Sequence, residues 1–172
     1  MTPGASIETP RFQLRELTLE DVTERYLGWF RDDEAESRIA SAGATRTLSD
    51  LTAFVAARLE RDDVLFLGIF DRTTGAHIGN LKYEPVNAAE GYAIMGILIG
   101  EPAYRGRGVA AEVLAASARW LRDRRQITQI VLGVSTDNER AIRSYQSAGF
   151  VIEASPHMPG PHPEYHTMVL RP

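Results

Sequence analysis

The sequence predicts an α+β domain of three layers, α/β/α, built on a mixed, mostly antiparallel sheet. Three observations predict it. Apolar runs joined by short turns between Val64 and Ile99 have the spacing of an antiparallel meander. Amphipathic stretches of helical period lie on either side of that meander. The two element types come in mixed order rather than in regular strand–helix alternation, which argues against an all-parallel sheet. With no internal repeat and no linker in its 172 residues, the chain is expected to form one domain over 1–172, with 1–7 as a flexible tail.

Arg11 to Leu17 alternates apolar and polar residues, as a strand exposed on one face does. Thr18 and Asp21 then form a capping-box pattern, and Val22, Tyr26, Trp29 and Phe30 recur at helical spacing, so a first helix is expected from Leu19 to Phe30. A polar segment with Asp32, Asp33, Glu34 and Glu36 follows; it either attracts a cationic acceptor or is a solvated charge run. Thr47 with Asp50 starts a second helix, whose stripe is Leu51, Phe54, Val55 and Leu59. Val64–Phe70, Ala76–Val86 and Tyr92–Ile99 read as strands separated by turns at Asp71–Gly75 and Asn87–Gly91. The helix after Gly108 carries Val109, Val113, Leu114, Trp120 and Leu121 on one face, and Arg122, Arg124 and Arg125 complement the dipole at its end. Ile127–Val134 is a buried strand by its β-branched content. Thr136 with Glu139 predicts a capped helix that ends at a left-handed Gly149. Strands at Phe150–Ala154 and Tyr165–Leu170 flank the loop SPHMPGPHP.

Composition narrows the function. The absence of cysteine excludes disulfides and thiolate metal sites. With 19 basic against 23 acidic residues and a net charge of −4, the chain lacks the clustered cations that a nucleic-acid binder uses to displace counterions. No signal peptide or membrane span is read, so a cytoplasmic protein with no nucleic-acid or membrane partner is expected.

The stretch ILIGEPAYRGRGVAAEVL, residues 97–114, runs strand, glycine-rich turn, helix. Gly106 and Gly108 let the backbone turn sharply and bring several N–H groups toward one point, and the following helix adds its positive dipole end. Such a turn binds an anion, most naturally a pyrophosphate, with Arg105 and Arg107 adding charge; otherwise it is a surface turn with two solvated arginines. Gly106-x-Gly108-x-x-Ala111 also satisfies the loose dinucleotide fingerprint, but the turn follows a meander and only about sixty residues remain for parallel βαβ units. Coenzyme A suits a phosphate turn in a mixed sheet better.

The R-x-x-G-x-A string from Arg105 to Ala110, together with N-x-x-A-x-x-x-Y-x-x-x-G-F from Asn138 to Phe150, resembles the GNAT acyltransferase superfamily, in the branch related to RimJ and RimL. The resemblance covers residues 8–171 in element order. It implies a GNAT-like fold whose sheet splays between the fourth and fifth strands, and acetyl-CoA as co-substrate for direct transfer to an amine in a ternary complex. It also implies a pantetheine arm hydrogen-bonded to the fourth strand. Here that strand is Tyr92–Ile99, with Ile97, Leu98 and Ile99 nearest the thioester, and Gly106, Arg107, Gly108, Val109 and Ala110 around the phosphates. The backbone of Leu98 or Ile99 is expected to stabilise charge on the thioester oxygen, as fixed amides in a dry cleft do. Tyr145 is the candidate general acid for the leaving thiolate, its alternative being a core aromatic beside Ile142 and Phe150. Asn138 is expected to touch pantetheine or pyrophosphate, or else to be a first-turn helix residue.

No base carries over from the family, because YAIMGI has Ile94 and Met95 where relatives place an acid. Asn80, Lys82 and Glu84 share one strand face that would line the acceptor cleft, making Glu84 the candidate base; the alternative is a solvated face. His157, His162 and His166 do not form a metal site, since the prolines preclude helical spacing and no carboxylate cluster completes it; the loop is expected to be a surface cover between two strands, the alternative being that one of them lines the acceptor pocket or carries a proton. The acceptor is a protein N-terminus or a small-molecule amine, with HIGNLKYEPVN also resembling acetyltransferases of nucleotide-linked amino sugars. A noncatalytic acyl-CoA sensor and, more weakly, a nicotinamide-dependent enzyme are the competing readings. An exposed C-terminal edge strand leaves monomer and homodimer both open.

Overall fold

Among the described residues, eight strands in the order β1-β2-β3-β4-β5-β6-β8-β7 make one sheet, and only the β5–β6 junction is parallel. These are β1 (Ser6–Glu8), β2 (Phe12–Glu16), β3 (Leu65–Asp71), β4 (His77–Asn87), β5 (Tyr92–Ile99), β6 (Gln129–Ser135), β7 (Val151–Ile152) and β8 (Tyr165–Leu170). The α-helices of the described residues are α1 (Glu24–Trp29), α2 (Leu48–Leu59), α3 (Val109–Arg125) and α4 (Glu139–Ser147). This computed structural model describes residues 4–31, 45 and 47–172; the acidic segment Asp32–Glu36 lies outside the described residues.

The sheet has a core on each face. On one, α3 supplies Val109, Val113, Leu114 and Leu121 against Leu67, Ile69, Leu81, Ile130 and Leu132, with Ile142 and Tyr145 of α4 at the margin. On the other, Tyr26, Leu27 and Trp29 of α1 and Leu51 and Val55 of α2 pack with Leu17 and Phe66. Alternation along each strand sends successive side chains to opposite cores.

Three local expectations differ from the structure. Ser6–Glu8 is not tail but an edge strand paired with β2, through Ile7 opposite Leu14. The first helix is broken: Leu19–Asp21 is a single 3-10 turn inside the Thr18–Asp21 capping box, and α1 starts afresh when Thr23 accepts a hydrogen bond from the Tyr26 amide. Two cap signals five residues apart compete for one helix, and each caps its own. The N-cap of α4 is Asn138, whose Oδ1 accepts from the Ala141 N–H at 3.2 Å, and not Thr136. The Thr47–Asp50 box of α2 forms as read.

β5 and β6 pair only through Tyr92–Gln129, Ala93–Ile130 and Ile94–Val131. Beyond Ile94 the two strands diverge, while β5 stays in register with β4 as far as Ile99. The expected splay is therefore present; the added edge strand makes these the fifth and sixth strands rather than the fourth and fifth.

Candidate active site

A cavity of about 750 Å³ fills the splay. Its walls are the end of β5 (Met95–Ile99), the turn into α3, the end of β6 (Leu132–Ser135) and α4 from Asn138 to Ser147. The volume is in the range of cofactor-sized sites.

Gly106 and Gly108 have φ of 71° and 73°, the left-handed region that L side chains avoid, and this aims the turn's amides outward. The Arg105 amide is taken by the Pro102 carbonyl at 3.1 Å and the Glu112 amide by the Gly108 carbonyl at 3.2 Å. Between them, the N–H groups of Gly106, Arg107, Gly108, Val109, Ala110 and Ala111 have no protein acceptor among the described residues. Six free donors at the start of a 17-residue helix have the chemistry that favours an anion. Arg105 itself is spent on the fold: its Nε donates to the Ile99 carbonyl at 2.9 Å and its Nη2 to the Gly100 carbonyl at 3.2 Å. Those carbonyls lie where β5 has lost its β6 partner, so the guanidinium ties the turn to the strand. Arg140 of α4 comes within 3.2 Å of where a Gly106 Cβ would stand, and Arg143 lines the same cavity.

The strand ladder assigns the β5 amides. Gly100 N–H donates to the Ile78 carbonyl at 2.9 Å, so by antiparallel alternation Asn80–Leu98 and Lys82–Gly96 are the next hydrogen-bonded pairs. Ile97 and Ile99 lie between these pairs and turn their amides away from β4, into the splay. Of the expected pair Leu98 and Ile99, only Ile99 is thus placed to donate to a carbonyl there; the Leu98 amide is used by the sheet.

Tyr145 lines the cavity from α4, its ring 5.9 Å from Phe150. Its hydroxyl has no hydrogen-bond partner among the described residues, and burial pushes its pKa up to about 12, so the proton stays on near neutrality. Asn138 lines the cavity with its Oδ1 committed to the cap and its Nδ2 free of partners among the described residues.

A family model described as an acetyltransferase (GNAT) domain matches residues 11–151. The chain belongs to the GNAT acetyltransferase family. Like its family it is an acetyltransferase that uses acetyl-CoA. Solved structures share the fold at low identity. RimL, the ribosomal L7/L12 α-N-protein acetyltransferase in complex with coenzyme A, has a TM-score of 0.83 at 14% identity over 97% of this chain and 98% of that one. The microcin C7 self-immunity acetyltransferase MccE, in complex with acetyl-CoA and AMP, has 0.79 at 15% over 94% and 93%. Spermidine N-acetyltransferase from Vibrio cholerae, in complex with CoA and spermine, has 0.70 at 17% over 94% and 95%. No curated protein matches.

The GNAT cavity does not include the strand face expected to carry the base. Asn80 is buried beneath α1, its Oδ1 2.7 Å from His77 Nε2. Lys82 and Glu84 point to α2, where Glu84 is held by Arg58 at 3.2 Å, Lys82 at 2.9 Å and Arg61. Burial raises the Glu84 pKa, but the Lys82 hydrogen bond and the charges of Lys82, Arg58 and Arg61 outweigh it and hold the carboxyl below its ordinary value. A carboxylate so neutralised, outside the cavity, is a poor proton acceptor. His157 stacks on Tyr92 with ring centroids 3.7 Å apart, and the His162 ring accepts from the Glu164 amide at 3.1 Å.

Sequence reasoning missed Arg140 and Arg143, which carry no motif signal of their own. Only the crossing of α4 over the turn brings them to it. It also passed over Asp137 and Ser135, which line the cavity at the end of β6. No described helix is long and apolar enough to cross a membrane.

Proposed function

We propose that this GNAT chain is an N-acetyltransferase of the RimJ/RimL-like branch, which transfers acetyl directly to a primary amine in a ternary complex, with Tyr145 as general acid. The observation that carries this is the Tyr145 hydroxyl, protonated and unpartnered in a cavity lined by five of the six turn residues whose amides are free, Gly106 and Gly108–Ala111. A diphosphate on Gly106–Ala111 leaves the length of β5 for the pantetheine arm, and the fit rests on those amides and on the splay itself. Arg140 adds charge at the phosphates, Arg107 lying outside the cavity lining, and Asn138 Nδ2 faces the arm. Bound there, acetyl-CoA supplies an acetyl group activated as a thioester. The Ile99 amide donates to the carbonyl oxygen as charge grows on it, the kind of contact commonly worth about 3 kcal/mol. Tyr145 gives its proton to the departing sulfur.

Acceptors in reach of this reading are protein N-termini, as for RimL, small amines such as spermidine, as for the Vibrio cholerae enzyme, and nucleotide-linked amino sugars. A cytoplasmic monomer or homodimer accords with the composition. Thiol release from acetyl-CoA over a panel of peptides, polyamines and amino sugars tests the proposal. Turnover with any of them supports it; acetyl-CoA binding without turnover would make the chain a sensor.

A further inference from the structure

An ammonium must lose a proton before its nitrogen can attack, and the Glu84 position supplies no acceptor for it. Resting on the N-acetyltransferase reading above, we propose that Asp137, hydrogen-bonded to Ser135 on the cavity wall, takes that proton.

Asp137 is the only carboxylate among the described residues that line the cavity. The other ionisable groups there are unsuited: Arg105, Arg140 and Arg143 are cations, Tyr104 donates to Asp71 at 2.6 Å, Tyr145 is needed as the acid, and Tyr165, exposed like Asp137, is a phenol rather than a carboxylate. Ser135 Oγ donates to Asp137 Oδ1 at 2.6 Å, and the Asn138 amide closes the turn on the Ser135 carbonyl at 3.0 Å. These two bonds hold the carboxylate at the end of β6 and leave Oδ2 with no partner among the described residues.

The route to it is set by two glycines. Leu132 and Val134 belong to the core under α3, so Gly133 and Ser135 lie on the opposite face of β6. On that same face, two residues past the last pair Ile94–Val131, Gly96 of β5 and Gly133 of β6 flank the gap. Gly96 is exposed, with nothing within 4 Å of where its Cβ would stand, and at Gly133 only the Met158 methyl comes close. At that level the gap carries no side chain of β5 or β6, and the next residues on that face are Leu98 of β5 and Ser135 of β6, both on the cavity wall. An amine entering along that face meets the Ser135–Asp137 pair on the wall of the cavity that Tyr145 of α4 also lines.

The proton count closes. One N–H bond of the ammonium breaks and an O–H bond forms on Asp137, which releases that proton to solvent. The freed lone pair forms the C–N bond, the C–S bond breaks, and sulfur takes the Tyr145 proton. The nitrogen's second surplus proton restores Tyr145. The products are an acetamide and a free thiol.

The test is the pH–rate profile of the full chain from pH 6 to 9.5, with spermidine and an alanyl dipeptide as acceptors. Asp137→Asn is expected to lower kcat/KM by about 10²-fold at pH 7. The deficit should narrow as pH approaches the ammonium pKa, about 10 for an alkylamine, because the amine then arrives already neutral. CoA affinity should stay as in the wild type, and Ser135→Ala should give a smaller loss of the same shape. Asp137→Glu, which keeps a carboxylate, should retain more activity than Asn; equal loss in the two overturns the assignment, as does a deficit independent of pH or one confined to KM. Should Asp137→Asn fail to fold, Ser135→Ala and Asp137→Glu carry the test alone. Wild-type turnover with an unimpaired Asp137→Asn overturns this inference only, whereas a wild type inactive on both acceptors and on the wider panel overturns the parent reading with it.

Discussion

Tyr145→Phe separates catalysis from packing because the structure gives the hydroxyl no partner to lose. The ring keeps its place beside Phe150 at 5.9 Å, and no hydrogen bond disappears. Stability is expected to change little, since truncation here leaves neither a cavity nor an orphaned polar group. The rate is another matter: losing a positioned general acid costs about 10²–10⁴-fold. That is roughly 3–5 kcal/mol of barrier, at 1.36 kcal/mol per decade. Thiol release under saturating acetyl-CoA reads kcat, and thermal shift with CoA reads binding. The expected result is kcat down by at least that lower factor, with the CoA-induced rise in Tm intact. A variant as fast as the wild type, or one losing CoA binding in proportion to rate, refutes the acid role.

Gly108→Val puts a β-branched residue at φ 73°, where a left-handed L residue costs about 1–2 kcal/mol. The nearest atom to its Cβ is Arg11 Nη2 at 3.8 Å, so the penalty is conformational, and CoA should bind about 5–30-fold more weakly by titration. Glu84→Gln should retain wild-type turnover, since the carboxylate lies outside the cavity, and should lower Tm; a turnover collapse would restore Glu84 as the base. The Glu84 pKa is depressed in the folded chain, so its contribution is present above the unfolded carboxylate pKa and fades as pH falls through the folded one. Alkaline denaturation runs the other way. Burial raises the pKa of Tyr26, Tyr83 and Tyr145, so above pH 10 the unfolded chain releases protons the native chain retains, and stability should fall in a chemical-denaturation series through pH 10 to 12.

Much of the architecture is legible in local chemistry. The Thr47–Asp50 box, the positive-φ glycines of the turn and the meander from Leu65 to Ile99 all act within a few residues of chain, where the sequence reads directly. β1 escapes because three residues are too few for a period. Thr136 and Asn138 are both sound cap residues, and only the path of the chain leaving β6 decides for Asn138. The site divides in the same way. Gly106 to Ala110 present their amides by local backbone geometry. Arg105 becomes a tie between turn and strand only because β5 ends without a neighbour, and Glu84 meets Arg58 only because α2 packs on the sheet over β3, next to β4. Such pairings depend on long-range contacts, which spacing along the chain does not reveal.

The short β5–β6 junction bears on how the whole molecule feels its ligand. Among the described residues, three residue pairs and the adjoining bonds to the Gly91 carbonyl stitch the sheet of β1–β5 to the β6–β8–β7 leaf, so the open end behaves as a seam awaiting thread. A co-substrate that bonds one leaf and leans on the other completes that stitching, and occupancy should be felt as slower amide exchange in Gln129–Ser135 as well as in Met95–Ile99.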